Sequence, residues 1–348
     1  MKTKKSEFTA IDVFCGCGGM TLGLKKAGFN VIAGIEILSD ARNTYNLNHP
    51  EVILFEDVRK VRGTTFIKKL DLKKGDLDLL AGCPPCQGFS SLRRKNRKTP
   101  VKDERNELIF DFIRLVNDLR PKTILLENVP ALMDDARMTK ARKSLTRMGY
   151  HSKVGILNAS DFGVPQRRKR MILIASNIGE IEFPSIITKK AKKTVREAIG
   201  NLPLPSKSNN PLHNLYSVHS KEIHQRISLI PIDGGSRKAL GEANQLECHK
   251  KLKNGGFNDV YGRLWWDKEA STITRFCTNP SKGRFLHPEQ NRALTIFEAA
   301  LLQSFPPSYK FPIDSGILKL SSMIGEALPP EFAKAQAVYI RDHLRTLN

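Results

Sequence analysis

The first 36 residues limit the fold more tightly than any other stretch. Phe8-Thr9-Ala10-Ile11-Asp12-Val13-Phe14 is a short, mostly apolar run that reads as a buried strand. Cys15-Gly16-Cys17-Gly18-Gly19 follows, and Met20 to Ala27 has helical periodicity stopped by Gly28. Asn30 to Ile35 reads as the next strand and ends in Glu36. A strand, a glycine loop, a helix and a second strand closed by an acid form the nucleotide-binding unit of an α/β sheet. Glu36 lies 20 residues past Gly16, the spacing at which a carboxylate reaches ribose hydroxyls. Thr21 stands where a third glycine would complete G-x-G-x-x-G, which favours another adenosine-bearing cofactor over a nicotinamide one. Taken alone, the glycines would equally suit a tight structural turn.

The pattern continues along the chain. Val52-Ile53-Leu54-Phe55 is a third strand ending near Asp57, which could accept from an adenine amino group or cap a following helix. Asp78-Leu79-Leu80-Ala81 is a fourth, and Lys122-Thr123-Ile124-Leu125-Leu126 is a fifth that delivers Glu127-Asn128-Val129-Pro130. Glu107 to Leu119 and Arg137 to Met148 have helical periodicity. Gly155-Ile156-Leu157 and Met171-Ile172-Leu173-Ile174-Ala175 read as a β pair. A carboxylate at the end of an apolar strand is desolvated, which suits Glu127 to general-acid work. A structural hydrogen bond to a neighbouring loop is the plainer reading. If Lys169 and Arg170 begin a strand, period-2 alternation puts Arg168 and Arg170 on one face. Two guanidiniums on one face suit a carboxylate, a phosphate or a polarised carbonyl.

Gly82-Cys83-Pro84-Pro85-Cys86-Gln87-Gly88-Phe89-Ser90-Ser91 follows the fourth strand. Two prolines forbid further ladder hydrogen bonding, so the chain leaves the sheet there and carries Cys86 on a loop at the strand's carboxyl end. A thiol so placed suits a nucleophile. The same residues admit a Cys83–Cys86 redox pair, a zinc site with Cys15 and Cys17, or an inert buried thiol. Arg93-Arg94-Lys95-Asn96-Arg97-Lys98 follows; it is either a solvated charge run or a phosphate contact.

Charge narrows the partner. Of 348 residues, 57 are Lys or Arg and 35 Asp or Glu, a formal net charge of +22 that favours a polyanion, with nucleic acid the first candidate. Six cysteines are too sparse for a disulfide scaffold, and no run is long and apolar enough to span a membrane. The expectation is a soluble protein of a reducing compartment. From Ser185 to Glu289 the long apolar runs thin out, and 18 Lys and Arg face 9 Asp and Glu, as a basic, loop-rich second domain would have. From Leu294 regularity returns, with Thr295 to Leu302 helical and a final amphipathic helix over Glu331 to Leu344.

Together these pieces resemble the cytosine-C5 DNA methyltransferase family. The matching residues are Asp12-Val13-Phe14-Cys15-Gly16-Cys17-Gly18-Gly19, Gly82 to Ser90, Glu127-Asn128-Val129, Gln166-Arg167-Arg168-Lys169-Arg170 and Gly325-Glu326-Ala327-Leu328-Pro329-Pro330, in the family's order across nearly the whole chain. The resemblance implies a Rossmann-like α/β methyltransferase catalytic domain over 1–184 and 290–348, with a smaller, loop-rich target-recognition domain over 185–289. It implies S-adenosylmethionine as methyl donor and double-stranded DNA as substrate.

By this resemblance Cys86 attacks cytosine C6, Glu127 serves N3, Arg168 steadies Glu127 and the base O2, and Arg170 sits near the thiolate and O2. Phe14 stacks on adenine, Glu36 holds the ribose, Asp57 holds the adenine amino group, and Gly16, Gly18, Gly19, Pro85, Leu108 and Glu326 complete the cofactor pocket. Gln87, Ser90, Arg93, Arg94, Arg226, Arg237 and Lys238 are the expected DNA contacts. Glu326 departs from the family's usual Asn, so Asn-specific hydrogen bonds are lost there. No metal is expected. A monomer in the cytoplasm (nucleoid-associated if prokaryotic) is expected, with room for a cognate restriction endonuclease acting separately. A tRNA cytosine-C5 methyltransferase shares these motifs, and a catalytically dead DNA-binding relative would keep the fold; intact Cys86, Glu127 and arginines argue against the latter.

Overall fold

The computed structural model describes residues 8–85, 103–186, 192–247 and 259–346. In chain order the first elements are β1 (Phe8–Val13), α1 (Gly19–Lys26), β2 (Phe29–Ile35), α2 (Ser39–Asn48), β3 (Ile53–Phe55), α3 (Gly63–Leu70) and β4 (Leu79–Gly82). Then come α4 (Leu108–Leu119), β5 (Thr123–Asn128), α5 (Ala136–Arg147), β6 (His151–Asn158) and β7 (Lys169–Ser176). All seven strands form one sheet in the order β3-β2-β1-β4-β5-β7-β6. β1 to β5 run parallel, while β7 joins β5 and β6 antiparallel. The α/β expectation holds, and the strands fall within a residue or two of their sequence-based limits, except β6, which is longer at both ends.

The central strands are short because both faces are covered. β4 and β5 are buried throughout, as continuous apolar runs in a parallel sheet should be. On one side Phe112, Ile113, Val116 and Leu119 of α4 pack with Ile11, Val13, Leu80, Ile124 and Leu126. Each such side chain contributes about 1.5–3 kcal/mol on burial. Gly82 ends β4 where only hydrogen fits, since a Cβ would sit 2.8 Å from both the Val13 carbonyl and the Phe112 ring. A last helix, Pro330–Arg345, packs along α1, with Lys26 paired to Glu331 at 2.7 Å and Arg341 donating to the Ala27 carbonyl at 2.9 Å.

Contacts divide the chain into two units. The first comprises Met1–Phe162, Lys169–Ile187 and Leu328–Asn348; the second comprises Gly163–Arg168 and Thr188–Ala327. Residues 163–168 and 290–327 thus pack with the second unit, although the sequence motifs around them suggested the first. Gln166 shows why. Its Nε2 donates to Gln303 Oε1 at 2.8 Å and to the Leu302 carbonyl at 3.2 Å, and its Oε1 accepts from the Ile273 amide at 2.8 Å. The second unit carries short helices at Val195–Ile199 (α6), Lys221–Ser228 (α7), Gly241–Asn244 (α8), Ile296–Leu302 (α9) and Gly316–Glu326 (α10); Pro330–Arg345 is therefore α11. Among its described residues there is no strand, only isolated bridges such as Arg263–Leu286.

Candidate active site

Strand order reverses between β1 and β4, whose ends pair at Val13 and Gly82. Such a switch point leaves a crevice beyond the carboxyl ends of the strands. β1 ends there in Phe14 and the glycine loop, β4 in Cys83-Pro84-Pro85, and β5 in Glu127-Asn128. Asn128 Nδ2 donates to the Pro84 carbonyl at 2.9 Å, which ties the segment leaving β4 to the end of β5. Glu127 is buried, and its Oε1 lies 2.8 Å from Arg170 Nε at the start of β7. Part of Cys83 is exposed, but burial of its sulfur, and then the Glu127 and Asp12 carboxylates, push its thiol well above the ordinary range. Cys83 therefore stays protonated and makes a poor nucleophile. Cys86, Gln87, Ser90, Arg93 and Arg94 lie outside the described residues.

The glycine loop is held from both ends. Cys15 N–H donates to the Ile35 carbonyl at 3.0 Å and Gly18 N–H to the Cys15 carbonyl at 2.9 Å. Gly16 and Gly18 adopt φ of 53° and 93°, in the left-handed region that favours glycine. Phe14 adopts φ 65°, an uncommon conformation for a large side chain, and is half-buried. Gly19 begins α1. Glu36 is buried beside the loop, its Oε2 accepting from Gly16 N–H at 2.9 Å and its Oε1 from Leu38 N–H at 2.7 Å. A Cβ at Gly16 would meet nothing within 4 Å, so this side of the loop is open.

Two features here escaped the sequence reading. Ile37 and Leu38 are 57% and 58% exposed, unusual for apolar residues beside a buried carboxylate. Asp12 is fully buried within β1; burial pushes its carboxyl up to about 7, assisted by Glu36 and opposed by a Thr21 hydrogen bond. A lone acid in an apolar strand was the available signal.

The remaining candidates have more local partners. Asp57 accepts from the Arg59 amide, Nε and Nη2 at 3.0, 3.0 and 2.9 Å, so its carboxylate closes a turn, and α3 begins later, at Gly63. Leu108 opens α4 and packs on the apolar core; Pro85 is half-buried. Within the second unit Arg168 is buried and donates to the Ile273 and Gly325 carbonyls at 2.7 and 3.0 Å. Glu326, at the end of α10, pairs with Arg275 at 3.3 Å. Arg226 lies on α7 and donates to the Asn244 carbonyl at 3.0 Å, Arg237 is buried, and Lys238 is exposed.

The C-5 cytosine-specific DNA methylase family model matches residues 8–341. The chain belongs to this family. It is 35% identical to the type II methylase M.HgiDII of Herpetosiphon aurantiacus, over 97% of this chain and 96% of that protein. It is 34% identical to the type II methyltransferase M1.HphI of Haemophilus parahaemolyticus, over 94% of this chain and 85% of that one. Its fold is similar to the Dnmt2 methyltransferase of S. pombe, with a TM-score of 0.66 at 18% identity, covering 98% of this chain and 100% of the other. The methylase is thus a DNA cytosine-5 methyltransferase built on an α/β sheet. Among its described residues no helix is long and apolar enough to cross a membrane, and no group of three or more His, Cys, Asp or Glu is placed to hold a metal.

Proposed function

We propose that the methylase transfers a methyl group from S-adenosylmethionine to C5 of a flipped-out cytosine, within a specific sequence of double-stranded DNA, through a covalent Cys86–C6 bond. The observation that carries this reading is the tie between the two strand ends. Asn128 holds Pro84, two residues before Cys86, at the end of β5 beside Glu127. A nucleophile and a carboxyl group serving N3 must share one rigid anchor if both are to meet the same ring.

Cytosine C5 is a poor nucleophile until C6 is attacked. The Cys86 thiolate forms the Sγ–C6 bond, and the C5–C6 π electrons move toward C5 and N3. A proton or hydrogen bond at N3, from Glu127, limits the charge on the ring. Arg170, 2.8 Å away, fixes the orientation of that carboxyl group. C5 would then take the methyl group, with the donor's neutral thioether as the leaving group, and lose its proton to solvent water as the Sγ–C6 bond breaks to return the thiolate and restore the aromatic ring. The base must leave the stack for any of this to occur.

The residues around the glycine loop fit an adenosine-bearing donor. Glu36 supplies a fixed carboxylate for the ribose, the open side at Gly16 leaves backbone accessible, and exposed Ile37 with half-buried Phe14 offers apolar surface for adenine. Asp57, Leu108 and Pro85 complete the proposed pocket. S-adenosylmethionine, when bound there, supplies an electrophilic methyl group. By role, residues 1–184 and 290–348 form the proposed catalytic part and 185–289 the proposed target-recognition part, a functional division distinct from the packing, in which 163–168 and 290–327 belong to the second unit. The methylase is proposed to work as a cytoplasmic monomer, beside a separate cognate restriction endonuclease. Bisulfite sequencing of DNA and tRNA from cells expressing the methylase is the test. Methylated cytosines in one DNA sequence context support the proposal; methylation confined to tRNA, or none, overturns it.

A further inference from the structure

The glycine loop is backed by a chain of buried hydroxyls that the reaction itself does not use. Thr21 Oγ1 donates to Asp12 Oδ2 at 2.7 Å and lies 2.9 Å from the Tyr45 hydroxyl. All three residues are fully buried, and they come from β1, α1 and α2. With its only proton committed to Asp12, Thr21 can accept from Tyr45. Tyr45 stacks edge-on against His49 at 4.9 Å, and the His49 ring hydrogen-bonds the Gly18 backbone inside the loop. Lys25 Nζ holds the other side of that ring, 3.0 Å from Nδ1.

This arrangement costs stability. Asp12 Oδ1 is buried with no hydrogen-bond partner, and each such group is unfavourable in a core. An apolar pair at positions 12 and 21 would pack the same space without that cost. Thr21 also occupies the place of the motif's third glycine, so a hydroxyl stands where the usual fingerprint has no side chain. The loop it backs contains three residues at positive φ, Phe14, Gly16 and Gly18, which neighbouring structure must enforce.

We propose that Asp12 is the positioning residue of the glycine loop, acting through Thr21 and Tyr45 to hold residues 14–19 in their cofactor-binding conformation before the cofactor arrives. This rests on the reading that the loop binds S-adenosylmethionine. A preorganised loop loses little entropy on binding, so loosening it should weaken affinity without touching the chemistry.

Calorimetric titration of the whole methylase with S-adenosylmethionine tests the idea, alongside thermal melting and kcat at saturating cofactor. Thr21→Val keeps the shape and removes the hydroxyl; it should weaken binding roughly 5–30-fold, as expected for a buried acceptor left unpaired, with kcat nearly unchanged. Thr21→Ser restores the hydroxyl and should return affinity to within about threefold. Tyr45→Phe, which removes only the outer hydroxyl, gives a smaller loss in the same direction and covers the case in which Thr21→Val does not fold. A lower melting temperature with unchanged affinity in Thr21→Val and Tyr45→Phe would reduce the chain to a core tie and overturn the proposal. A wild type that binds no S-adenosylmethionine would instead overturn the cofactor reading itself, whatever the variants did.

Discussion

The two units are held together by different physics. The first is a sheet whose backbone groups satisfy one another and whose faces are sealed by apolar side chains. The second has short helices and isolated bridges, with a small apolar cluster at Ile227, Ile230, Leu240, Tyr261 and Leu286. Its irregular backbone still has to satisfy buried carbonyls, and arginines do this. Arg263, 1% exposed, donates to the carbonyls of Ile227, Ile230, His287 and Gln290 and to Asn291 Oδ1, at 2.6–3.1 Å. Arg284 serves the carbonyls of Gly234, Gly235 and Arg263, and Arg292 grips Glu298 with its two terminal nitrogens at 2.7 and 2.6 Å. A rigid five-donor fork suits this task as no apolar side chain can. Cationic residues that look like nucleic-acid contacts in the sequence can therefore be internal staples.

The largest expected effect sharpens where the chemistry lies. Glu127→Gln, in the first unit, should lower the single-turnover methylation rate about 10²–10⁴-fold, the range for general acid–base residues, with DNA binding unchanged. A rate within a few-fold of wild type would remove Glu127 from the reaction.

Next comes stability. Both tryptophans, Trp265 and Trp266, lie in the second unit, so their fluorescence reports that unit selectively. Arg263→Ala strips the donor from several buried carbonyls and should destabilise the second unit by about 3–5 kcal/mol. The fluorescence midpoint in denaturant should fall well before the far-ultraviolet signal of the sheet. Coincident, unshifted transitions would show that the arginine is dispensable.

A third effect follows from Asp12. Between about pH 4 and 7 the folded methylase holds a proton on Asp12 that the unfolded chain has released, because burial raises the carboxyl to about 7. Raising the pH through that window therefore costs the wild type stability, and above it the cost stays constant. Denaturant midpoints of Asp12→Asn should gain on those of the wild type from pH 5 to 7 and run parallel beyond. Parallel curves throughout would mean that Asp12 is ionised at both ends of the window.

The smallest effect is a control on the comparison. Lys153 and Glu182 pair at 2.6 Å on the surface of the first unit, with half or more of each side chain exposed. Lys153→Ala should leave the melting temperature unchanged within error, since exposed pairs contribute little. A clear drop would mean that charge also holds the first unit.

The contrast explains what was legible in the sequence. Strands of the first unit announce themselves because burial on both faces demands uninterrupted apolar runs, as at Leu79–Gly82 and Thr123–Asn128. Glu127 was readable because it ends such a run. In the second unit the helix over Thr295 to Leu302 was legible and is found at Ile296–Leu302, but Ser185 to Glu289 offered little periodicity to read, because order there comes from side chain to carbonyl bonds between residues as far apart as Ile227 and Arg263. Nothing in the local sequence marks Arg263 as internal and Lys238 as exposed. Alternation around Lys169 could not assign partners to the flanking arginines either: Arg170 meets Glu127, and Arg168 meets the Ile273 and Gly325 carbonyls. Asp57 had two plausible tasks, and the turn it makes with Arg59 depends on a side chain two residues away.

The central claim is that the chemistry of the first unit runs through Cys86, with Cys83 as a protonated neighbour. Duplex DNA carrying 5-fluorocytosine at the methylated position tests it most directly, because fluorine at C5 blocks the final elimination. With S-adenosylmethionine present, the wild type and Cys83→Ser should each form a stable protein–DNA adduct on denaturing gels, and Cys86→Ser none. An adduct that survives in Cys86→Ser and disappears in Cys83→Ser would contradict the account.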